Sequence, residues 1–194
     1  MPSLSRSLAL PALALGLLTS GCDATDSLLG EFVADVTVNG ASEAVEGEAL
    51  YTIVDSSEGP RFVLALFVGD LGDNDYDDYR FIAFTREADR PGIGAYSVDQ
   101  DTDAPSVVAA TLADVTDGDD PLDAEGYVLR GQTGILSITG ADSYGNLAGS
   151  FSFEAEGASV GVPSRQRVGD ASGQFEAYYE RPAVLRRLGV DLGL

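Results

Sequence analysis

The densest collection of groups able to do chemistry is Asp70-Leu-Gly-Asp73-Asn-Asp75-Tyr-Asp77-Asp78. Carboxylates two residues apart can turn several oxygens toward one hard cation, and calcium takes six to eight oxygen ligands. The simpler reading is an acidic loop whose charges repel one another and stay solvated. Asp99-Gln-Asp101-Thr-Asp103 and Asp117-Gly-Asp119-Asp120 are weaker versions of the same pattern. A second kind of chemistry would need paired carboxylates. Glu154 and Glu156 share one face of an extended strand at about 7 Å, close to the carboxyl separations of glycosidases. Two polar residues on the wet side of a sheet explain them with fewer assumptions.

Other chemistries are closed off by what the chain lacks. There is no histidine, which removes a histidine base, a histidine-centred triad and histidine metal ligands. Cys22 is the single cysteine, so no internal disulfide can form. No glycine spacing matches a phosphate-cradling loop. Asp73, Asp75 and Asp77 could fill positions 1, 3 and 5 of an EF-hand. Asp78 then stands where that loop requires glycine, and Phe84 where it requires a bidentate glutamate. Carboxylates, hydroxyls, tyrosines and arginines are the remaining repertoire, and an enzyme is not expected from them.

Cys22 carries a more specific signal through its position. Arg6 is the only charge before residue 23, and it precedes the apolar run Leu8-Ala-Leu-Pro-Ala-Leu-Ala-Leu-Gly-Leu-Leu18. A positive start, a short apolar stretch and small residues behind it describe a secretory signal peptide. A membrane-spanning helix needs about 20 apolar residues, more than this run supplies. Ordinary secretion would cut near Gly21 and leave a free thiol. The segment Leu18-Thr19-Ser20-Gly21-Cys22 resembles the lipobox of bacterial lipoproteins, with Thr19 where that family usually carries leucine. The resemblance implies that Cys22 becomes lipid-modified and forms the new N-terminus. Each buried methylene contributes about 0.8 kcal/mol, so two or three acyl chains would anchor the protein firmly without crossing the bilayer. The expected address is exported and lipid-anchored, on the extracytoplasmic side of a cell membrane or outer membrane.

Composition sets the surface. The chain has 194 residues, 32 acidic against 11 basic, and a formal net charge of −21; all the basic residues are arginine. A field of that sign repels nucleic acid, whose binding requires a basic patch to release counterions. It suits a surface adapted to high salt, where screening quenches self-repulsion and carboxylates hold water. The membrane, reached through the lipid, is the one partner the sequence indicates; a protein or small-molecule partner is left unspecified.

The elements that must position these residues are strands. Period-2 alternation begins at Glu31 and runs through Phe32, Ala34, Val36 and Val38 to the turn Asn39-Gly40. Further strands are expected at about 49–55, 62–68, 79–86, 94–98, 106–113, 127–139, 147–155 and 172–179. Phe62-Val-Leu-Ala-Leu-Phe-Val68 is apolar at both parities, as for a central strand covered on both sides. Gly131 and Gly134 suggest a bulge or bend. Residues 135–139 and 147–155 form a hairpin, with Leu147, Phe151, Phe153 and Ala155 inward and Ser150, Ser152, Glu154 and Glu156 outward. Pro182 can open one or two helical turns near the end.

The organisation read from this is a signal peptide at 1–21, the lipidated cysteine and a tether at 22–30, an all-β domain at 31–180, and a tail at 181–194. The fold expected is an antiparallel β-sandwich or partly closed barrel of about 8–10 strands. Phe32-Val-Ala-Asp-Val-Thr-Val-Asn-Gly40, Thr133–Thr139 with Gly149–Ala155, and Gly173-Gln-Phe175 together resemble an uncharacterised family of exported bacterial lipoproteins, a domain of unknown function. That resemblance implies an all-β fold and an envelope address, and it brings no catalytic residues. The functional expectation is a lipid-anchored, non-enzymatic binding or interaction module. The alternatives are a calcium-binding module using Asp70, Asp73, Asp75, Asp77 and Asp78, and a small-ligand carrier if the sheet closes around a cavity. Apart from that possible calcium ion, no cofactor is expected.

Overall fold

The computed structural model describes residues 30–57, 59–69, 78–100, 104–116, 125–142, 145–160 and 165–182. Nine strands make up most of them: β1 (Gly30–Val38), β2 (Ala41–Ser56), β3 (Gly59–Val68), β4 (Asp78–Arg86), β5 (Gly94–Val98), β6 (Val107–Thr116), β7 (Glu125–Ala141), β8 (Leu147–Ser159) and β9 (Gln166–Tyr179). Around the sheet the order is β1-β2-β3-β4-β6-β5-β7-β8-β9, and β9 pairs back onto β1 so that the sheet closes as a ring. Most neighbours are antiparallel, but β5 with β6 and the end of β9 with β2 pair in parallel, so the sheet is mixed. The all-β expectation and the strand number hold.

Hairpin chemistry sets the register at the start of the ring. Asn39 and Gly40 both have positive φ, 51° and 83°, and connect β1 to β2 as a two-residue turn. Asparagine and glycine tolerate that backbone, and its twist matches the strands it joins. Asn39 also ties this turn to β9: its amide N–H donates to the Val168 carbonyl at 2.9 Å, and its side-chain oxygen accepts from the Val168 N–H at 3.2 Å.

The largest boundary shifts are at the starts of two strands. β2 begins at Ala41 rather than near residue 49, and β9 at Gln166 rather than 172. In Ala41–Glu48 the only large apolar side chain facing inward is Val45, so alternation barely registers; pairing with β1 makes it a strand. In Gln166–Ala171 the pattern runs backwards, because Val168 points outward and is 59% exposed. β1 takes Gly30 from the tether. Of the expected C-terminal helical turn only Pro182 lies among the described residues, in helical conformation.

Inward side chains from every strand meet in one core that includes Phe32, Tyr51, Phe62, Leu64, Phe84, Leu129, Leu136, Phe151, Phe153 and Phe175. Phe84 reaches across from β4 to β8, with ring centroids 5.4 Å from Phe151 and 5.6 Å from Phe153. Small rings of this strand number have interiors just wide enough for side chains to fill. Gly131 makes room for the short insertion of β5: a Cβ there would lie 2.6 Å from Val98 Cγ1 and 2.9 Å from Ala110 Cβ. The β7–β8 register also slips between Gly131 and Thr133, the irregularity that the glycines suggested.

Outside the ring the two walls differ. On β8 the outward Ser152, Glu154 and Glu156 are solvated, while Phe151, Phe153 and Ala155 are buried. On β2, β3, β4 and β6 the outward Leu50, Thr52, Val63, Ala65, Phe67, Ala83 and Ala113 are all buried as well.

Candidate functional site

Cys22, Asp70, Asp73, Asp75 and Asp77 lie outside the described residues. Asp78 is the first residue of β4 and pairs opposite Thr116. Among the described residues no group of three or more carboxylates is arranged to hold a metal ion. Of the weaker acidic runs, Asp99 follows β5 and its amide N–H donates to the Val108 carbonyl at 3.0 Å; the other carboxylates of those runs are outside the described residues. Glu154 and Glu156 do share the outer face of β8. Glu154 pairs opposite Thr133 and Asp170, and Glu156 opposite Arg130 and Val168. Two exposed acids beside an arginine and a threonine match the solvated-face reading.

The structure assembles two polar constellations that the sequence did not single out, one at each end of the ring. At the Asn39 end Arg80 points inward from β4. Its Nη2 donates to Glu43 Oε2 at 2.8 Å, and its Nε lies 3.4 Å from Asp114 Oδ2 without hydrogen-bond geometry. Tyr127 from β7 is a neighbour, and Arg167 from β9 stacks its guanidinium 5.7 Å above the Tyr127 ring while its Nε donates to Ser159 Oγ at 2.7 Å. Several strands thus contribute charges or rings to one mouth.

The electrostatics follow from contact. The hydrogen bond and charge of Arg80 hold the Glu43 carboxyl below its ordinary value of 4.5. The hydrogen bond to Glu43 raises Arg80, helped by Asp114 and opposed by burial. Burial first, then the Asp114 charge, pushes the Tyr127 phenol above 10.0. A protonated tyrosine, a committed arginine and the ionised Glu43 carboxylate meet here. This constellation clamps the end of the ring.

At the opposite end Tyr51 points inward from β2. Its hydroxyl donates to the Gly145 carbonyl in the β7–β8 turn and accepts from Arg90 Nη1 at 3.3 Å. Its ring packs against Phe62 at 5.8 Å and edge-on against Tyr179 at 5.5 Å. The Asp142 carboxylate braces the same turn, accepting from the Asn146 backbone N–H at 2.9 Å and from its side-chain amide at 3.0 Å. Arg86 lies 5.1 Å over the Tyr96 ring beside this plug. A signal for both sites existed in the sequence: Arg80 and Arg86 share the inward parity of Ile82 and Phe84, so both had to emerge at rims.

Concave surface occurs on the bare wall. A groove of about 610 Å³ is lined by Val33, Asp35, Glu46, Ser150, Ser172 and Gln174 among others. A second, of about 900 Å³, runs past Thr37, Thr133, Glu154, Glu156 and Asp170. Both are open and mix hydroxyls and acids with apolar side chains, Val33 in the first and Val168 in the second.

No family model, curated protein or solved structure matches the chain.

Proposed function

We propose that this chain is a lipid-anchored envelope protein, held on the extracytoplasmic side of a membrane by Cys22, whose closed sheet serves as a non-enzymatic binding module. The observation that carries the reading is the sole cysteine, standing directly behind a short apolar leader and eight residues before β1 begins at Gly30. Eight residues extend to at most about 28 Å, so the ring would ride close to the bilayer surface. We read the ring as a small barrel with a filled interior. A core occupied by Phe84, Phe151, Phe153 and Leu136 leaves the interior to side chains and weighs against carriage of a small ligand inside. Binding then falls to the outer wall of β7, β8, β9, β1 and the first half of β2, where both grooves lie. Its hydroxyls and carboxylates favour polar or cationic partners over nucleic acid.

Metabolic labelling with a fatty acid tests the anchor. Label on the wild-type chain that disappears in Cys22→Ser supports the proposal. An unlabelled wild type, or label that persists in Cys22→Ser, overturns it.

A further inference from the structure

The outer face of β2, β3, β4 and β6 presents a physical problem. Leu50, Val63 and Ala65 point away from the filled interior and are nevertheless 0% exposed, with Phe67, Ala83 and Ala113 at most 6% exposed. Their cross-strand pairings make them one patch: Leu50 opposite Ala65, Ala65 opposite Ala83, Phe67 opposite Phe81, Phe81 opposite Ala113. Phe67 and Phe81 pack ring to ring at 6.3 Å within it. Every strand pairing lies within the ring itself, so no described strand lies across this face. A face this apolar needs a cover that the described strands do not supply.

We propose that the C-terminal residues 183–194 are that cover. The exit of the chain points them there. β9 leaves β1 at its end and pairs in parallel with β2 through Leu50–Tyr178 and Tyr51–Tyr179, and the Glu180 N–H donates to the Tyr51 carbonyl at 2.8 Å. The chain is thus delivered to β2, at the edge of the patch, two residues before the helical Pro182. Twelve residues remain, among them Val184, Leu185, Leu188 and Leu192. Those positions fall on one face of a helix, and Arg186 and Arg187 fall off it. Twelve helical residues measure about 18 Å. The patch measures about 13 Å along β3 and about 14 Å across four strands, so the segment is long enough to span it.

The competing cover is the leader, because Gly30 also leaves the ring beside β2, opposite Ala49. Choosing the tail rests on the processing proposed above: a leader that is removed would leave a bare apolar strand, which is an aggregation hazard. The acidic loop 70–77 has the wrong chemistry for an apolar face.

Thiol labelling separates these occupants. In the full chain carrying Cys22→Ser, Ala65→Cys places one thiol at the centre of the patch, and maleimide reports its exposure. Leu185→Asp with Leu188→Asp should speed labelling about tenfold or more by opening the cover. Leu13→Asp with Leu17→Asp in the leader should leave the rate unchanged. Faster labelling only in the leader variant, or slow labelling in both, overturns the proposal. Should the tail variant unfold, Ala65→Cys with Leu188→Cys in the same background decides: a cross-link within one chain supports the tail, and its absence contradicts it. Fatty-acid labelling of Cys22 reads the anchor independently, so the two ideas can fail separately.

Discussion

The β3 wall and the β8 wall belong to one continuous sheet and share one core, yet they treat their outer faces in opposite ways. β8 alternates strictly, with Phe151, Phe153 and Ala155 buried and Ser152, Glu154 and Glu156 outward. β3 has no wet face between Phe62 and Phe67. An antiparallel strand with one solvated side must alternate, whereas a strand covered on both sides has no reason to. The ring therefore has an open wall, where both grooves lie, and a closed wall that needs a second layer.

The contrast predicts unequal tolerance to charge. Val63→Asp would bury a carboxylate without a partner on the closed wall and should cost more than about 4 kcal/mol, a large share of the stability of an ordinary domain. Ser152→Asp at the open wall should stay within about 0.5 kcal/mol. Denaturant titration of both variants checks this, and similar losses would erase the distinction between the walls.

A gain is expected at Thr52. Its side chain is fully buried on the closed wall and its Oγ1 has no hydrogen-bond partner among the described residues. Thr52→Val keeps the shape and removes the stranded hydroxyl. It should stabilise the fold by about 1 kcal/mol, a rise in Tm of roughly 3 °C. A lower Tm would mean that the hydroxyl is satisfied.

Smaller effects should come from the clamp at the Asn39 end, and they run in two directions with pH. The folded pKa of Glu43 is depressed, so its contribution is present above the ordinary carboxylate range and is lost as pH falls through the folded value, below 4.5. Tyr127 is raised, so its contribution is present below 10.0 and is lost as pH climbs through the folded value. Thermal melts across pH should show Arg80→Gln flattening the acid limb and Tyr127→Phe flattening the alkaline limb. Glu43 is largely exposed, so the acid effect will be modest and will shrink with salt.

The same contrast explains how much could be read from the sequence. β8 was legible because its alternation is complete, and β3 because a run apolar at both parities demands cover on both sides. The first halves of β2 and β9 were not. Their inward positions hold Glu43, Gly47, Arg167 and Gly169, which show no apolar alternation and become strand residues through pairing, Glu43 opposite Val36 across the Asn39-Gly40 turn and Gly169 opposite Val38 of β1. Closure of β9 onto β1 and the insertion of β5 beside β6 leave no local trace either, since both are set by long-range pairing. Of the chemistry, the inward parity of Arg80 and Arg86 was visible, but their partners Glu43, Asp114 and Tyr96 come from other strands. Residue counts could not bring them together.

One experiment compares the two walls directly. Maleimide labelling of Ala65→Cys and Ser152→Cys, each in the Cys22→Ser chain, measures the exposure of one thiol on each side of the ring. Ser152→Cys should react at the rate of a free thiol and Ala65→Cys about a hundredfold more slowly. Equal, fast rates would show that the β3 wall is as bare as the β8 wall, contradicting the second layer.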